Sequence, residues 1–156
     1  MAIMGELGFA DRLKLRRAAA GLSQRDLARA SGVKQPLIAA LESGSRQPTE
    51  AARAALEKAV AVRPSQLLEV ARDRVLAAVA AVGGRDVRVF GSVARHDDES
   101  GSDIDLLVTF PPQADIVTLL TLEDQLSDLL TVAVDVVSAG STGPMLQRAL
   151  AEAVPL

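Results

Sequence analysis

Hydrophobic positions change rhythm along the chain. Up to about residue 82 they recur every three or four residues, the spacing of one face of a helix; from residue 86 stretches of strict alternation appear between helical ones. In the first part, residues 12–21 (RLKLRRAAAG) read as a helix that buries Leu13 and Leu15 and stops at Gly21. Ser23, with Asp26 three residues on, opens a second short helix through a capping box. Ser31-Gly32 turns the chain tightly. A third helix starts near Lys34-Gln35, with Pro36 in its first turn where a missing N–H costs nothing. It points Ile38 and Leu41 inward and is capped by Gly44. Helix, short glycine turn, helix is the helix-turn-helix pattern. Beyond Arg63-Pro64-Ser65, the residues Leu68, Ala71, Val75, Val79 and Val82 line one face of a longer helix ended by Gly83-Gly84. Arg72, Asp73 and Arg74 fall on its outer side.

After residue 86 the pattern predicts a strand through Val87 and Val89 to Phe90, then a short helix over residues 93–96 and a polar loop. Residues 103–110 (DIDLLVTF) read as a second strand, stopped by Pro111-Pro112. Residues 115–130 read as a helix with Ile116, Leu119, Leu120 and Leu126 on its apolar side. Residues 132–137 read as a third strand interrupted by Asp135, and residues 144–153 as a last helix. The order is two-domain: an all-α helix-turn-helix bundle over 1–65, then a small α/β (α+β) domain over 66–156 with a short mixed sheet and a leading helix over 65–82.

The chain has 156 residues, 49% of them apolar, with three Phe and neither Trp nor Tyr. No run reaches the ~20 apolar residues that span a bilayer, so no membrane is expected. The stretch MAIMGELGFADRLKLRR lacks the continuous apolar segment of a secretory leader. The absence of cysteine rules out disulfides and zinc-thiolate sites and fits a cytoplasmic protein. Residues 1–63 hold eleven Lys/Arg against six Asp/Glu, net +5, while residues 64–156 hold six against fourteen, net −8. The basic half suits a polyanion such as DNA, and the acidic half suits divalent cations.

Asp103 and Asp105 stand two apart on a predicted strand, so both project from one face, ~6.6 Å apart. Such a pair repels unless a cation lies between, and carboxylate oxygens are the ligands Mg²⁺ prefers. Asp135 is the other charge inside a strand pattern; if its strand lies alongside, three carboxylates gather for one or two ions. Gly91 lets backbone approach a ligand closely, Ser92 adds a hydroxyl, and a helix start there would face an anion. Arg95 reaches either a phosphate or the acidic loop. Together these point to a site for a metal-bound nucleoside triphosphate.

Two resemblances follow from these residues. SQRDLARASGVKQPLIAALESGSRQPT resembles the helix-turn-helix domain of the phage-repressor (XRE/Cro) family over roughly residues 9–68. That resemblance implies a five-helix bundle, with a fourth helix over 50–61 and a fifth from Ser65, docking as a dimer on a palindromic operator. It also implies phosphate contacts by Gln24 and Arg46, with Lys34, Gln35, Pro36 and Ala40 facing base edges. Pro36 and Ala40 offer only apolar contact, so base discrimination is expected to be modest.

GSVAR…SDIDLLV, with ten residues between GS and DID and a later Asp, resembles the polymerase-β-like nucleotidyltransferase superfamily, and within it the minimal nucleotidyltransferase family, over about residues 66–156. What it implies is triphosphate binding by Gly91 and Ser92, and Mg²⁺ coordination by Asp103, Asp105 and Asp135. Asp135 would also help deprotonate the attacking hydroxyl. ATP is the substrate expected from the family. Where the family often has Gly after the arginine, this chain has His96, read as a loop residue. With no Tyr or Trp, stacking on the base falls to aliphatics or Phe90. Many such proteins resemble antitoxins that adenylylate a partner toxin, a HEPN-type or other ribonuclease or transferase. The expected partners are thus a cognate toxin and operator DNA, in a homodimer or a hetero-oligomer with the toxin. The alternatives are a non-catalytic regulator and a small-molecule transferase of the aminoglycoside type.

Overall fold

The computed structural model describes residues 7–156, so the first six residues of the N-terminal stretch read above lie outside the described residues. The chain divides after Val62 into two units, the second being Arg63–Leu156.

The first unit is built from α1 (Phe9–Ala19), α2 (Gln24–Ser31), α3 (Gln35–Glu42) and α4 (Glu50–Ala59). The Ser23 hydroxyl accepts from the Asp26 N–H at 3.0 Å while the Asp26 carboxylate accepts from the Ser23 N–H at 3.1 Å, the reciprocal pair that starts α2. Gly32 then takes a left-handed turn (φ 77°), and Pro36 stands in the first turn of α3. Leu13, Leu27, Ile38, Leu41, Leu56 and Val60 form the core of the unit. Removing such side chains from water is the main force holding short helices together, because none of them is long enough to be stable alone. Glu42 is buried among them and paired: Arg17 donates to it through Nε (2.5 Å) and Nη2 (3.1 Å), and Gln24 through Nε2 (2.9 Å). The helix from Ser65, fifth by the repressor resemblance, is also the leading helix expected for the second domain. It is α5 (Pro64–Ala81), which lies in the second unit and buries Leu68, Ala71, Val75 and Val79.

In the second unit α5 is followed by β1 (Arg85–Phe90), α6 (Gly91–Arg95), β2 (Ile104–Thr109), α7 (Ile116–Leu130), β3 (Val134–Ser138), α8 (Pro144–Glu152) and β4 (Val154–Pro155). The sheet order is β3-β2-β1-β4, with β2 and β3 parallel and the other pairs antiparallel. The parallel pair is joined by α7, the crossover such a pair requires. α5 and α7 pack together and on the sheet. β3 is an edge strand, and α7 covers its unpaired donors: Ser127 Oγ accepts from Val134 N–H (3.0 Å) and Glu123 Oε1 from Val136 N–H (2.8 Å).

Three expectations are corrected here. The second strand begins at Ile104, leaving Asp103 just before it. α7 buries Leu122, Leu126, Leu129 and Leu130, whereas Ile116 and Leu120 are exposed. Its leucines run around most of the helix, and the inward side is the one from which Ser127 and Glu123 also accept from β3. β4 was not expected from the alternation, being two residues long. Among the described residues, no helix is long and apolar enough to cross a membrane.

Candidate active site and nucleic-acid face

Asp105 lies in the middle of the candidate active site. In β2 it stands opposite Asp135 of β3 in the parallel register and opposite Phe90 of β1 in the antiparallel one. Leu107, two residues on and so on the same face, packs with Phe90 against Ala149 of α8. That face therefore carries the Asp105 carboxylate at one end and a packed core at the other. Asp105 is half-buried, and Asp103 and Asp135 are exposed. Burial pushes the Asp105 carboxyl above its ordinary range; Asp135 and then Asp103 push it further, Arg148 opposes this, and Glu152 adds a smaller upward push.

Phe90 hands the chain to Gly91, the first residue of α6, which has φ 71°. A Cβ at Gly91 would sit 2.2 Å from Asp105 Oδ2, so a side chain there would displace that carboxylate, and the positive φ favours glycine as well. The Gly91 N–H donates to Glu152 Oε2 at 3.0 Å. Arg95 Nη1 donates to the same oxygen at 3.1 Å and Arg95 Nε to Asp97 Oδ2 at 3.3 Å, while Arg148 Nε stands 3.6 Å from Glu152 Oε1. Arg95 is thus held by carboxylates of the loop and of α8. His96 follows in the left-handed region (φ 62°), a conformation that glycine adopts at lower cost. Asp98 is buried and accepts from the Ser65 N–H at 2.8 Å, a carboxylate at the positive end of α5.

Among the described residues, no three acidic, imidazole or thiol side chains converge into a ready-made cation site. The donor set nonetheless fits a hard divalent cation, since it consists of carboxylate oxygens, and Asp105 is raised by burial first and by Asp135 and Asp103 next. Phe90 is 2% exposed and inside the core, so it cannot stack on a base.

In the first unit, Lys34, Pro36, Ala40 and Arg46 line one groove of about 740 Å³ beside the N-terminal end of α3. Lys34, Pro36 and Arg46 are exposed and Ala40 is half-buried. Gln35 Nε2 donates to Gln24 Oε1 at 3.0 Å, and Gln24 in turn donates to Glu42. The two glutamines expected to touch DNA are therefore tied into one chain that ends on the buried Arg17–Glu42 pair.

Residues 85–155 match the family model described as "Polymerase beta, Nucleotidyltransferase", and residues 9–75 match that of a helix-turn-helix domain. MJ0128 of Methanocaldococcus jannaschii, named as a protein adenylyltransferase, is 39% identical over 69 residues, which are 44% of this chain and 70% of the relative. The chain belongs to the polymerase-β-type nucleotidyltransferases. Protein adenylyltransferase MntA of Thermococcus cleftensis is 37% identical over 59 residues, 38% of this chain and 60% of that one. A solved structure described as a minimal nucleotidyltransferase is 40% identical, covers 59% of this chain and 95% of its own, and superposes with a TM-score of 0.53.

Within this nucleotidyltransferase domain, the structure brings Gly91, Asp103, Asp105 and Asp135 to one end of the sheet, with Ser92 and Arg95 in the helix that starts there. Sequence reasoning missed Arg148 and Glu152. Their spacing of four on a helix was visible, but a carboxylate that meets a backbone N–H 61 residues away leaves no local pattern.

Proposed function

We propose that this chain is an antitoxin that transfers AMP from Mg²⁺-bound ATP to a hydroxyl of its partner toxin, and that its helix-turn-helix represses its own operon. The observation that carries the reading is Asp105, pressed against a side-chain-free Gly91 turn and flanked by Asp103 and Asp135. Asp103, Asp105 and Asp135 would hold one or two Mg²⁺. When bound, these ions neutralise charge on the attacking and leaving oxygens. Ser92 and Arg95 bind and orient the triphosphate, with Gly91 giving the backbone its close approach. The acceptor oxygen forms a bond to the α-phosphorus, the bond from that phosphorus to the bridging oxygen breaks, and pyrophosphate leaves. Asp135 takes the proton of the acceptor hydroxyl. The chain has no Tyr of its own, which fits an acceptor in trans.

On the operator, Gln24 and Arg46 contact phosphates, and Lys34, Gln35, Pro36 and Ala40 face bases. The support is that four of these residues line one groove and the other two are bonded to each other. The partner is a toxin of the HEPN type or another ribonuclease or transferase, and both tasks are cytoplasmic. The assembly is a homodimer or a hetero-oligomer with the toxin.

The test is mass spectrometry of the protein encoded beside this one after incubation with ATP and Mg²⁺. The expected result is a mass increase matching one or more AMP groups, absent with Asp103→Ala. An unmodified neighbour, under conditions where this chain binds Mg²⁺-ATP, rejects the antitoxin reading.

A further inference from the structure

Gly91 poses a problem of support. With φ 71° and Asp105 Oδ2 2.2 Å from where a Cβ would stand, a side chain at Gly91 would strain the turn and displace the carboxylate. The glycine itself has no side chain to anchor the turn between β1 and α6. Backbone pairing holds the residue before it, where Phe90 faces Asp105. The N–H of Gly91 is free of the sheet and is taken by Glu152 Oε2. That oxygen also accepts from Arg95, at the last position of α6, so one carboxylate grips both ends of the five-residue helix. Its other oxygen faces Arg148 one helical turn back, and Glu152 keeps only 26% of its side chain exposed. The Arg95 guanidinium thus hydrogen-bonds the carboxylate that holds the turn, and Arg148 adds an exposed ion pair at 3.6 Å.

We propose that Glu152 is a positioning residue for nucleotide binding: through Gly91 N–H and Arg95 it sets the turn beside Asp105 so that Ser92 and Arg95 meet the triphosphate. This rests on the reading of Gly91, Ser92 and Arg95 as the nucleotide-binding turn. A carboxylate next to a triphosphate site also repels the ligand. Arg95 and Arg148 on its two oxygens offset that charge, so orientation outweighs repulsion.

The experiment measures Kd for Mg²⁺-ATP by calorimetry on the full chain, with melting recorded for each variant. Glu152→Ala raises Kd about tenfold, and Glu152→Gln stays within about threefold of the native chain, because the amide oxygen still accepts from Gly91 N–H. Ser92→Ala weakens binding less in the Glu152→Ala background than alone, since its hydroxyl is no longer aimed; a general loss of stability leaves that difference unchanged. Unchanged binding in Glu152→Ala, equal loss in Ala and Gln, or full additivity with Ser92→Ala overturns the assignment. Tighter binding in Glu152→Ala also overturns it, and marks the carboxylate as a competitor of phosphate. If Asp103→Ala/Asp105→Ala binds Mg²⁺-ATP as tightly as the native chain, or the native chain does not bind it, the nucleotide-site reading falls and the positioning role with it.

Discussion

Asp105 pays in stability for what it offers in chemistry. Its carboxyl is raised by burial first and by Asp135 and Asp103 next, so ionising it is harder in the folded chain than in the unfolded one. A raised carboxyl leaves stability intact below the unfolded value and removes it as pH climbs through the folded one. Asp105→Asn is therefore expected to stabilise the ligand-free protein at neutral pH by about 0.5 kcal/mol, after allowing for its partial exposure. The gain disappears in acid, where the native residue is itself neutral; thermal melts at several pH values check it. On the proposed function, the same substitution is expected to abolish AMP transfer, as labelled-ATP incorporation measures. At this scale, the carboxylates and the glycine were legible because charge inside a strand and glycine at its exit are local anomalies. Asp98 was not. It reads as one of three acidic loop residues, and only the fold shows its oxygen accepting from Ser65 at the start of α5.

Elements were legible where capping chemistry or a single apolar stripe defined them. The Ser23–Asp26 pair is as the spacing predicts, and so is the stripe of α5 from Leu68 to Val79, while Val82, expected to close the stripe, is the half-buried residue just past the helix end. α7 was misphased because IVTLLTLEDQLSDLL offers apolar residues on several sides, and the face it buries is the one carrying Leu122, Leu126, Leu129 and Leu130 together with the acceptors for β3. The element whose fate depends most on one polar contact is α3. Glu42 at its end is 4% exposed and anchors Arg17 of α1 and, through Gln24, the Gln35 side chain. Glu42→Ala leaves Arg17 without its charge partner and is expected to cost about 3 kcal/mol. Urea unfolding of the first unit measures it. Replacing Arg17 and Glu42 together by leucine is expected to restore most of the loss, since it removes the unpaired charge as well.

The whole molecule is two units with opposite charge and separate cores, and the composition shift at residue 63 marked the division that the fold places at Val62 and Arg63. The helix following the division lies in the second unit, where the apolar stripe from Leu68 placed it as the leading helix. A fragment of residues 63–156 therefore keeps every residue of the proposed nucleotide site, and its core. It is expected to fold alone and to bind Mg²⁺-ATP within about twofold of the full chain, as a calorimetric titration measures. Full-length unfolding is expected to resolve into two transitions, of which the fragment retains one.

The bond between Gly91 and Glu152 spans 61 residues, and it has a consequence for timing during synthesis. The ribosome releases α1–α4 first, and these fold through contacts close in sequence, which is fast. The turn at Gly91 emerges long before the helix that holds it. Until residue 152 is out, β1 also lacks its β4 neighbour. The helix-turn-helix unit is therefore folded on a nascent chain whose transferase site is still unfinished.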